Sequence, residues 1–433
     1  MSRTLLRGGC VLTLGSKTPN HHQADVLIED GRVAEVGPDL RGRDAEVIDA
    51  SDTIVMPGFV DAHRHVWRSL FKNLGESARQ IDGSHLAPDD VYAATLVGLL
   101  GAIEAGITTV VDWADGPAGP DHIDAALQAH ADAGLRTVFV LPSRWTSPDQ
   151  GRDAARRLDG MDRPGWSATA ALGSLDVARR HLDRIESDWR LARDLGMRIH
   201  AHAGLEASEA GLVADLAERG LLGPDVTLVH CSRLGDADLD AVASSGASIA
   251  LAPSSEMAGG LGAPPLQKLL DRRIEPGLAV DDERVAPGDM LSQMRVANSV
   301  QHAAYFDLKL AGKAGLPNLL TTRDVIRYAT VTAARTAGLG DLTGSLEPGK
   351  QADIVVFRTD RPNIYPVNDP IGAVVWGVDS SNVDWVFVAG RPLIRNGEFE
   401  ADVDRARGLA FAARDRVMAA AGLLTETGTG ERR

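Results

Sequence analysis

From Phe59 to about residue 340, short apolar runs alternate with longer amphipathic ones, and this alternation constrains the fold of the 433-residue chain more than any other feature. The short runs are Phe59–Ala62, Thr108–Asp112, Arg136–Leu141, Ala168–Leu172, Arg198–Ala201, Thr227–His230, Ser248–Leu251 and Gly277–Val280. Their length and content suit buried strands, while stretches such as Ser208–Arg219 and Ala237–Ser244 between them have helical spacing. Parallel strands need a helix-length crossover, so eight strand–helix units in series predict an α/β fold, a (β/α)8 TIM-like barrel.

The two chain ends read differently. Cys10–Leu14, Ala24–Ile28, Arg32–Val36 and Thr53–Val55 are β-type runs cut by turn signals such as Glu29-Asp30-Gly31, and Met56-Pro57-Gly58 closes the stretch. A β pattern returns after Gly344 at Ala352–Phe357, Ala373–Val378 and Val383–Val388, with Gly390 and Gly397 marking turns. Neither end can bury a face alone, which predicts one small β-sandwich domain built from both. The expected organisation is residues 1–57 for its first part, 58–344 for the barrel, 345–400 for its second part and 401–433 for a C-terminal helix and tail. Within the last segment, Ala401–Ala421 reads as a charged surface helix and the tail from Thr425 is polar.

Charge narrows the function classes. The 45 Lys and Arg against 60 Asp and Glu give −15, which repels phosphate backbones and anionic lipid and argues against nucleic-acid or membrane partners. Val91–Val111 is the most apolar stretch, but it contains Glu104 and is broken by Gly101 and Gly106, so it reads as a helix followed by a strand. The only cysteines are Cys10 and Cys231, and no apolar run follows Arg3 and Arg7 as a signal peptide requires. A cytoplasmic protein with a small-molecule substrate is expected.

The most informative stretch is Asp61-Ala62-His63-Arg64-His65. Alternate residues of a strand share a face, so His63 and His65 point the same way. Two such imidazoles can hold one cation at about 2.0–2.1 Å each, or can be hydrogen-bonded histidines at a strand end. Further strand ends carry similar groups: His200 and His202 in Arg198-Ile199-His200-Ala201-His202, then His230, then Asp281-Asp282 after Gly277–Val280. Parallel barrel strands gather these ends at one mouth. Packing would fill such positions with Val, Ile and Leu, so histidines and a carboxylate from four strands predict a metal site.

Pro57-Gly58-Phe59-Val60-Asp61-Ala62-His63-Arg64-His65 resembles the opening motif of the amidohydrolase superfamily. The similarity continues through Glu104–Asp112, Leu228-Val229-His230-Cys231 and Gly344–Ile354, in the family's order and over nearly the whole chain. The branch it resembles contains cytosine, guanine and S-adenosylhomocysteine deaminases and triazine (chloro)hydrolases. The resemblance implies metal ligands at His63, His65, His202 and Asp281, with His202 preferred to His200 and Asp281 preferred to Asp282, whose place suits a small residue. It implies catalytic roles for Asp281 as proton shuttle and for His230 in polarising the substrate beside the attacking water. Members with two metals bridge them with a carboxylated lysine on the fourth strand; Ala168–Leu172 has no lysine, so one divalent ion per subunit is expected, zinc first and Fe, Mn or Ni as alternatives. The implied activity is hydrolysis of a carbon–nitrogen bond other than a peptide bond, foremost deamination of a small N-heterocycle. Pairing into a homodimer is expected by the same analogy.

One position departs from the deaminase pattern. The glutamate expected three residues after the third ligand is replaced by Leu205 in His202-Ala203-Gly204-Leu205-Glu206. Glu206, one residue late, and Glu256, after the seventh strand, are candidates for a substituting carboxylate or else solvated surface residues. Cyclic-amide hydrolysis, dechlorination and a non-catalytic scaffold are therefore alternative readings. Trp67, Arg68 and Trp113 follow strand ends and are candidates to stack on or clamp a planar substrate, or ordinary packing residues. His122 and His130 read as surface histidines, His21-His22 as an exposed turn, and Cys231 as a buried neighbour facing away from the site.

Overall fold

Strand β1 (Arg3–Val11) begins the chain, followed by β2 (His21–Glu29), β3 (Arg32–Gly37), β4 (Glu46–Asp49) and β5 (Thr53–Pro57). The computed structural model describes residues 3–74, 81, 83–116, 119–142, 152–153, 156–158, 168–174, 182–206 and 209–423. Eight strands then form the barrel: β6 (Phe59–Arg64), β7 (Ile107–Trp113), β8 (Arg136–Pro142), β9 (Ala168–Ser174), β10 (Arg198–Ala203), β11 (Val226–His230), β12 (Ser248–Leu251) and β13 (Gly277–Leu278). The chain returns to β structure with β14 (Ile354–Arg358), β15 (Val383–Val388), β16 (Arg391–Arg395) and β17 (Glu398–Phe399).

The eight barrel strands pair in sequence order, each parallel to the next. Closure between first and last strands occurs at the site itself: His65 N donates to Asp281 O (3.0 Å) and Asp281 N donates to His63 O (2.9 Å). Small and β-branched side chains, among them Val60, Ala62, Val111, Val138, Ala171 and Ala250, fill the interior, as a narrow eight-stranded barrel requires. Strand β13 is shorter than the expected Gly277–Val280 because Val280 N donates to the Asp61 carboxylate (3.0 Å) instead of a ladder carbonyl.

Both chain ends join one nine-stranded sheet in which β14 pairs antiparallel with β5 and parallel β4 sits beside β1. Side chains alternate across it. Ile54, Met56, Val355, Phe357 and Val386 pack in the cluster shared with the barrel, while Val55, Ile354, Val356 and Phe387 join Leu6, Val26 and Val33 in a second core. A buried ion pair links the two units: Arg136 on β8 donates twice to Asp353 (2.7 and 3.0 Å), which also accepts from Ala389 N (2.7 Å).

Several local expectations need correction. Ala373–Val378 does not form a strand; Pro370–Trp376 is a helix, started by Asp369, whose carboxylate accepts from Ile371 N and Gly372 N, and by Pro370 in its first turn. Its buried residues, Ile371, Val374 and Val375, have helical spacing. His21 and His22 open β2 rather than lying in a turn, with His21 paired to Val11 and His22 exposed. The strands Glu46–Asp49, Arg391–Arg395 and Glu398–Phe399 had no expected counterpart. Helices Pro88–Glu104 and Val403–Ala420 occupy the stretches read as helical, the second burying only Ala406, Ala413 and Val417. Ser208 and the tail from Thr425 lie outside the described residues. Among the described residues, no helix is long and apolar enough to cross a membrane.

Candidate active site

At the C-terminal mouth of the barrel, β6 delivers His63 and, one residue past its end, His65; β10 delivers His202, β11 ends on His230, and Asp281 follows β13. All five are buried. A register shift against β7 between Asp61 and Arg64 turns the end of β6 so that the two imidazoles lie 5.0 Å apart between ring centres. His230, Cys231 and Asp281 have positive φ values of 71°, 58° and 65°. L-residues hold this conformation at a cost of about 1–3 kcal/mol each, and such strain concentrates at functional sites. Cys231 N donating to Ala203 O (2.9 Å) and Asp281 N donating to His63 O hold two of these turns in place.

The donor atoms converge. His202 Nε2 lies 3.3 Å from His63 Nε2, and Asp281 Oδ1 lies 3.4 Å from His63 Nε2 and 3.3 Å from His65 Nε2. Separations of this size suit donors that share one cation at about 2.0–2.1 Å each. Burial pushes His63 down to about 4 and His202 well below its ordinary value, so both rings are neutral and present lone pairs. Two neutral nitrogens aimed at each other at 3.3 Å repel unless a proton or a cation lies between them. Burial disfavours an ionised Asp281, but the His63 and His65 rings outweigh it and hold the carboxyl well below the usual range. These two neutral rings, the His65 imidazole and one carboxylate are a donor set that fits a single divalent ion. His63, His230 and Asp281 form a second convergent group, with donor atoms within 4.8 Å of one another.

Residues around these groups fix their direction. His65 Nδ1 donates to Asp115 Oδ1 (2.9 Å), leaving Nε2 to face the centre. Asp115 also accepts from Trp67 Nε1 (2.7 Å) and Arg68 (2.7 Å), and Arg68 pairs with Asp282 (2.9 Å). Ser255 Oγ donates to Asp281 Oδ2. His230 Nδ1 lies 3.2 Å from Glu256 Oε1. Burial opposes a charged His230, yet Glu256 and Asp281 raise it above its ordinary value. Beneath the site, buried Arg64 pairs with Glu283 (2.7 Å) and Asp61 (3.5 Å), and Ser69 bonds Glu283. Burial lifts Asp61 to about 6 against the pull of Arg64.

The structure redistributes the other candidates. Trp67 and Arg68 are engaged in supporting His65 and are not free clamps. Trp113 is fully buried against His202, with ring centres 4.2 Å apart, so it walls that imidazole. Glu206 is exposed, and Leu205 is half-buried with its N–H donated to Glu209 (3.1 Å). Glu256 is neither a surface residue nor a group facing the pocket, because it sits fully buried behind His230. Asp282, the rival to Asp281, is buried and paired with Arg68 and Arg284. His130 is not at the surface either; it is buried between Asp112 (2.8 Å) and Thr137 (2.9 Å), and Asp112 also accepts from Val66 N just after His65. His122 is half-buried on Leu86 O (3.0 Å). His200 faces the interior fully buried, with neither ring nitrogen partnered. Sequence reasoning missed Asp61, Arg64, Asp115, Ser255 and Glu283.

Comparison with known proteins agrees with this architecture. A 5-methylthioadenosine/S-adenosylhomocysteine deaminase of Symbiobacterium thermophilum is 28% identical over 427 residues, covering 90% of this chain and 93% of the relative. A 5'-deoxyadenosine deaminase of Methanothermobacter thermautotrophicus is 29% identical over 409 residues, covering 87% and 91%. Among solved structures, a mutant atrazine chlorohydrolase of Arthrobacter aurescens, complexed with zinc and atraton, superposes with a TM-score of 0.80 at 23% identity over 95% of this chain and all of its own. An adenosine deaminase of Xanthomonas campestris with bound zinc gives 0.80 at 22% identity, over 96% and 99%. The sequence pattern of the amidohydrolase family matches residues 54–393, from β5 through the whole barrel and into β16. That span carries every strand end described above, and the chain belongs to the amidohydrolase family of carbon–nitrogen hydrolases.

Proposed function

We propose that the protein is a zinc-dependent aminohydrolase that releases ammonia from an amino-substituted N-heterocycle, most closely a purine nucleoside derivative. The observation that carries this reading is the convergence of donor atoms from His63, His65, His202 and Asp281, three of whose separations are 3.3–3.4 Å. The deaminases of 5'-deoxyadenosine-type nucleosides related to the chain over most of its length support the substrate class. In this reading His63, His65, His202 and Asp281 hold the ion. When bound, such an ion lowers the pKa of water from 15.7 to about 7 and so supplies a nucleophile at neutral pH.

The chain's own residues supply the remaining steps. Asp281 Oδ1 faces the histidines while Oδ2 is occupied by Ser255, so Oδ1 takes the proton of the attacking water and delivers it to the leaving nitrogen. His230, tied through Nδ1 to Glu256, offers Nε2 to the substrate and stabilises charge that develops there. The buried surroundings exclude bulk water and strengthen each of these interactions. The two unpaired cysteines suit a reducing compartment, in keeping with a cytoplasmic enzyme.

A second reading has one specific observation in its favour. Leu205 stands where deaminases of the resembling branch place a carboxylic acid, and a substrate needing no ring protonation there, such as a cyclic amide or a chlorinated triazine, fits that loss. Zinc-loaded protein should be assayed for ammonia against aminopurine nucleosides, pterins, aminotriazines and cyclic amides. Ammonia from a nucleoside, abolished in His202→Ala and Asp281→Ala, is the expected result. Chloride or an opened amide without ammonia would transfer the assignment to the second reading, and no turnover on any substrate would overturn both.

A further inference from the structure

The short helix Pro253–Ala258 begins directly beyond β12, and β12 lies between the strands that carry His230 and Asp281. Two consecutive residues of this helix grip the two groups. Ser255 holds Asp281 through Oδ2, and Glu256 Oε1 meets His230 Nδ1 at 3.2 Å. The Glu256 side chain is fully buried. Oε1 also accepts from Ala252 N (2.9 Å), whereas Oε2 has no hydrogen-bond partner.

A buried carboxylate with an unpartnered oxygen is a costly way to cap one backbone N–H; a neutral side chain would do that with less desolvation. What a carboxylate adds is an acceptor that specifies which nitrogen of the adjacent ring carries the proton. An imidazole whose Nδ1–H is bound in this way presents Nε2 in a fixed direction. With Leu205 in place of a pocket acid, His230 is the group set beside Asp281 that remains to face a substrate.

Building on the aminohydrolase reading, we propose that Glu256 is the positioning residue for His230, locking it as the Nδ1–H tautomer with Nε2 turned to the substrate. It thereby contributes through the imidazole, not by contact with substrate, part of what the carboxylate missing at Leu205 would contribute directly.

The tautomer is measurable in the resting protein. Histidine-15N-labelled, zinc-loaded protein, with the His230 signals assigned by their loss in His230→Asn, should show a protonated Nδ1 and an unprotonated Nε2. In Glu256→Met the two nitrogens should average between tautomers, and kcat should fall about 100-fold with KM within about threefold and zinc still at one per chain. Glu256→Gln retains an acceptor at Oε1, should keep the Nδ1–H form, and should recover most of the lost kcat. A residue that only capped the helix would alter stability while leaving the ring tautomer unchanged. The proposal is overturned if wild-type His230 carries its proton on Nε2, a result that needs no variant to fold, or if folded Glu256→Met keeps the wild-type tautomer. Because the ring signals do not depend on turnover, absence of ammonia release would reject the aminohydrolase reading and leave the role of Glu256 to be judged separately.

Discussion

Replacing Asp115 by Ala tests how far the support around a ligand governs ion binding. Its carboxylate accepts from His65 Nδ1 (2.9 Å), Trp67 Nε1 (2.7 Å) and Arg68 Nη2 (2.7 Å). Burial works against its ionisation, but His65 and Arg68 hold it far below the usual carboxylate range, so it is charged at any pH of interest. Without it, His65 is free to carry its proton on Nε2, the atom that must face the ion. Loss of such a partner costs about 10–100-fold in metal affinity, which is about 1.4–2.7 kcal/mol. Arg68 keeps Asp282 at 2.9 Å, so no guanidinium is stranded; the buried Trp67 N–H loses its acceptor, which costs about 1–3 kcal/mol of stability. Competition against a chelator of known affinity gives the first quantity and urea unfolding of the metal-free protein the second. An ion affinity within twofold of wild type, in a protein that is destabilised as expected, would refute the claim that Asp115 acts through His65.

Other consequences are distributed over the molecule. Asp353→Ala removes both hydrogen bonds that the buried Arg136 guanidinium donates across barrel and sheet and should cost about 3–5 kcal/mol in urea unfolding, with zinc content unchanged at low denaturant; a loss below about 1 kcal/mol would show that the pair does not join the two units. The metal-free protein should also lose stability on acidification. Burial holds His63 at about 4 and His200 at about 3, against about 6.5 in an unfolded chain, so the unfolded state takes up protons first. The contribution of these two rings is therefore complete above about pH 6.5 and is lost below it, His63 alone accounting for about 3 kcal/mol by pH 4. Equal urea midpoints at pH 7 and pH 5 would contradict this.

The barrel was legible because eight β-type runs recur between amphipathic stretches, and the helical crossovers leave little choice but parallel pairing. Its mouth was legible for the same reason: strand ends must gather there, so His63, His65, His202, His230 and Asp281 could be grouped from their places in the sequence. Tertiary partners were not legible. Nothing local marks Asp115 as the acceptor for His65, 50 residues earlier, or Glu256 as the partner of His230, 26 residues away. Arg68 and Trp67 looked available to a substrate because the carboxylates that occupy them, Asp115 and Asp282, come from other strand ends. Ala373–Val378 shows the opposite failure, in which a local signal was present. The apolar run was read as a strand, although Asp369-Pro370 ahead of it is a helix start.

Crystals of the zinc-loaded protein, with anomalous diffraction recorded on both sides of the zinc edge, test the account most directly. One peak per chain is predicted, bonded to Nε2 of His63, His65 and His202 and to Oδ1 of Asp281, at about 2.0–2.2 Å from each. No peak at this position, or an ion held by a different set of side chains, would contradict it.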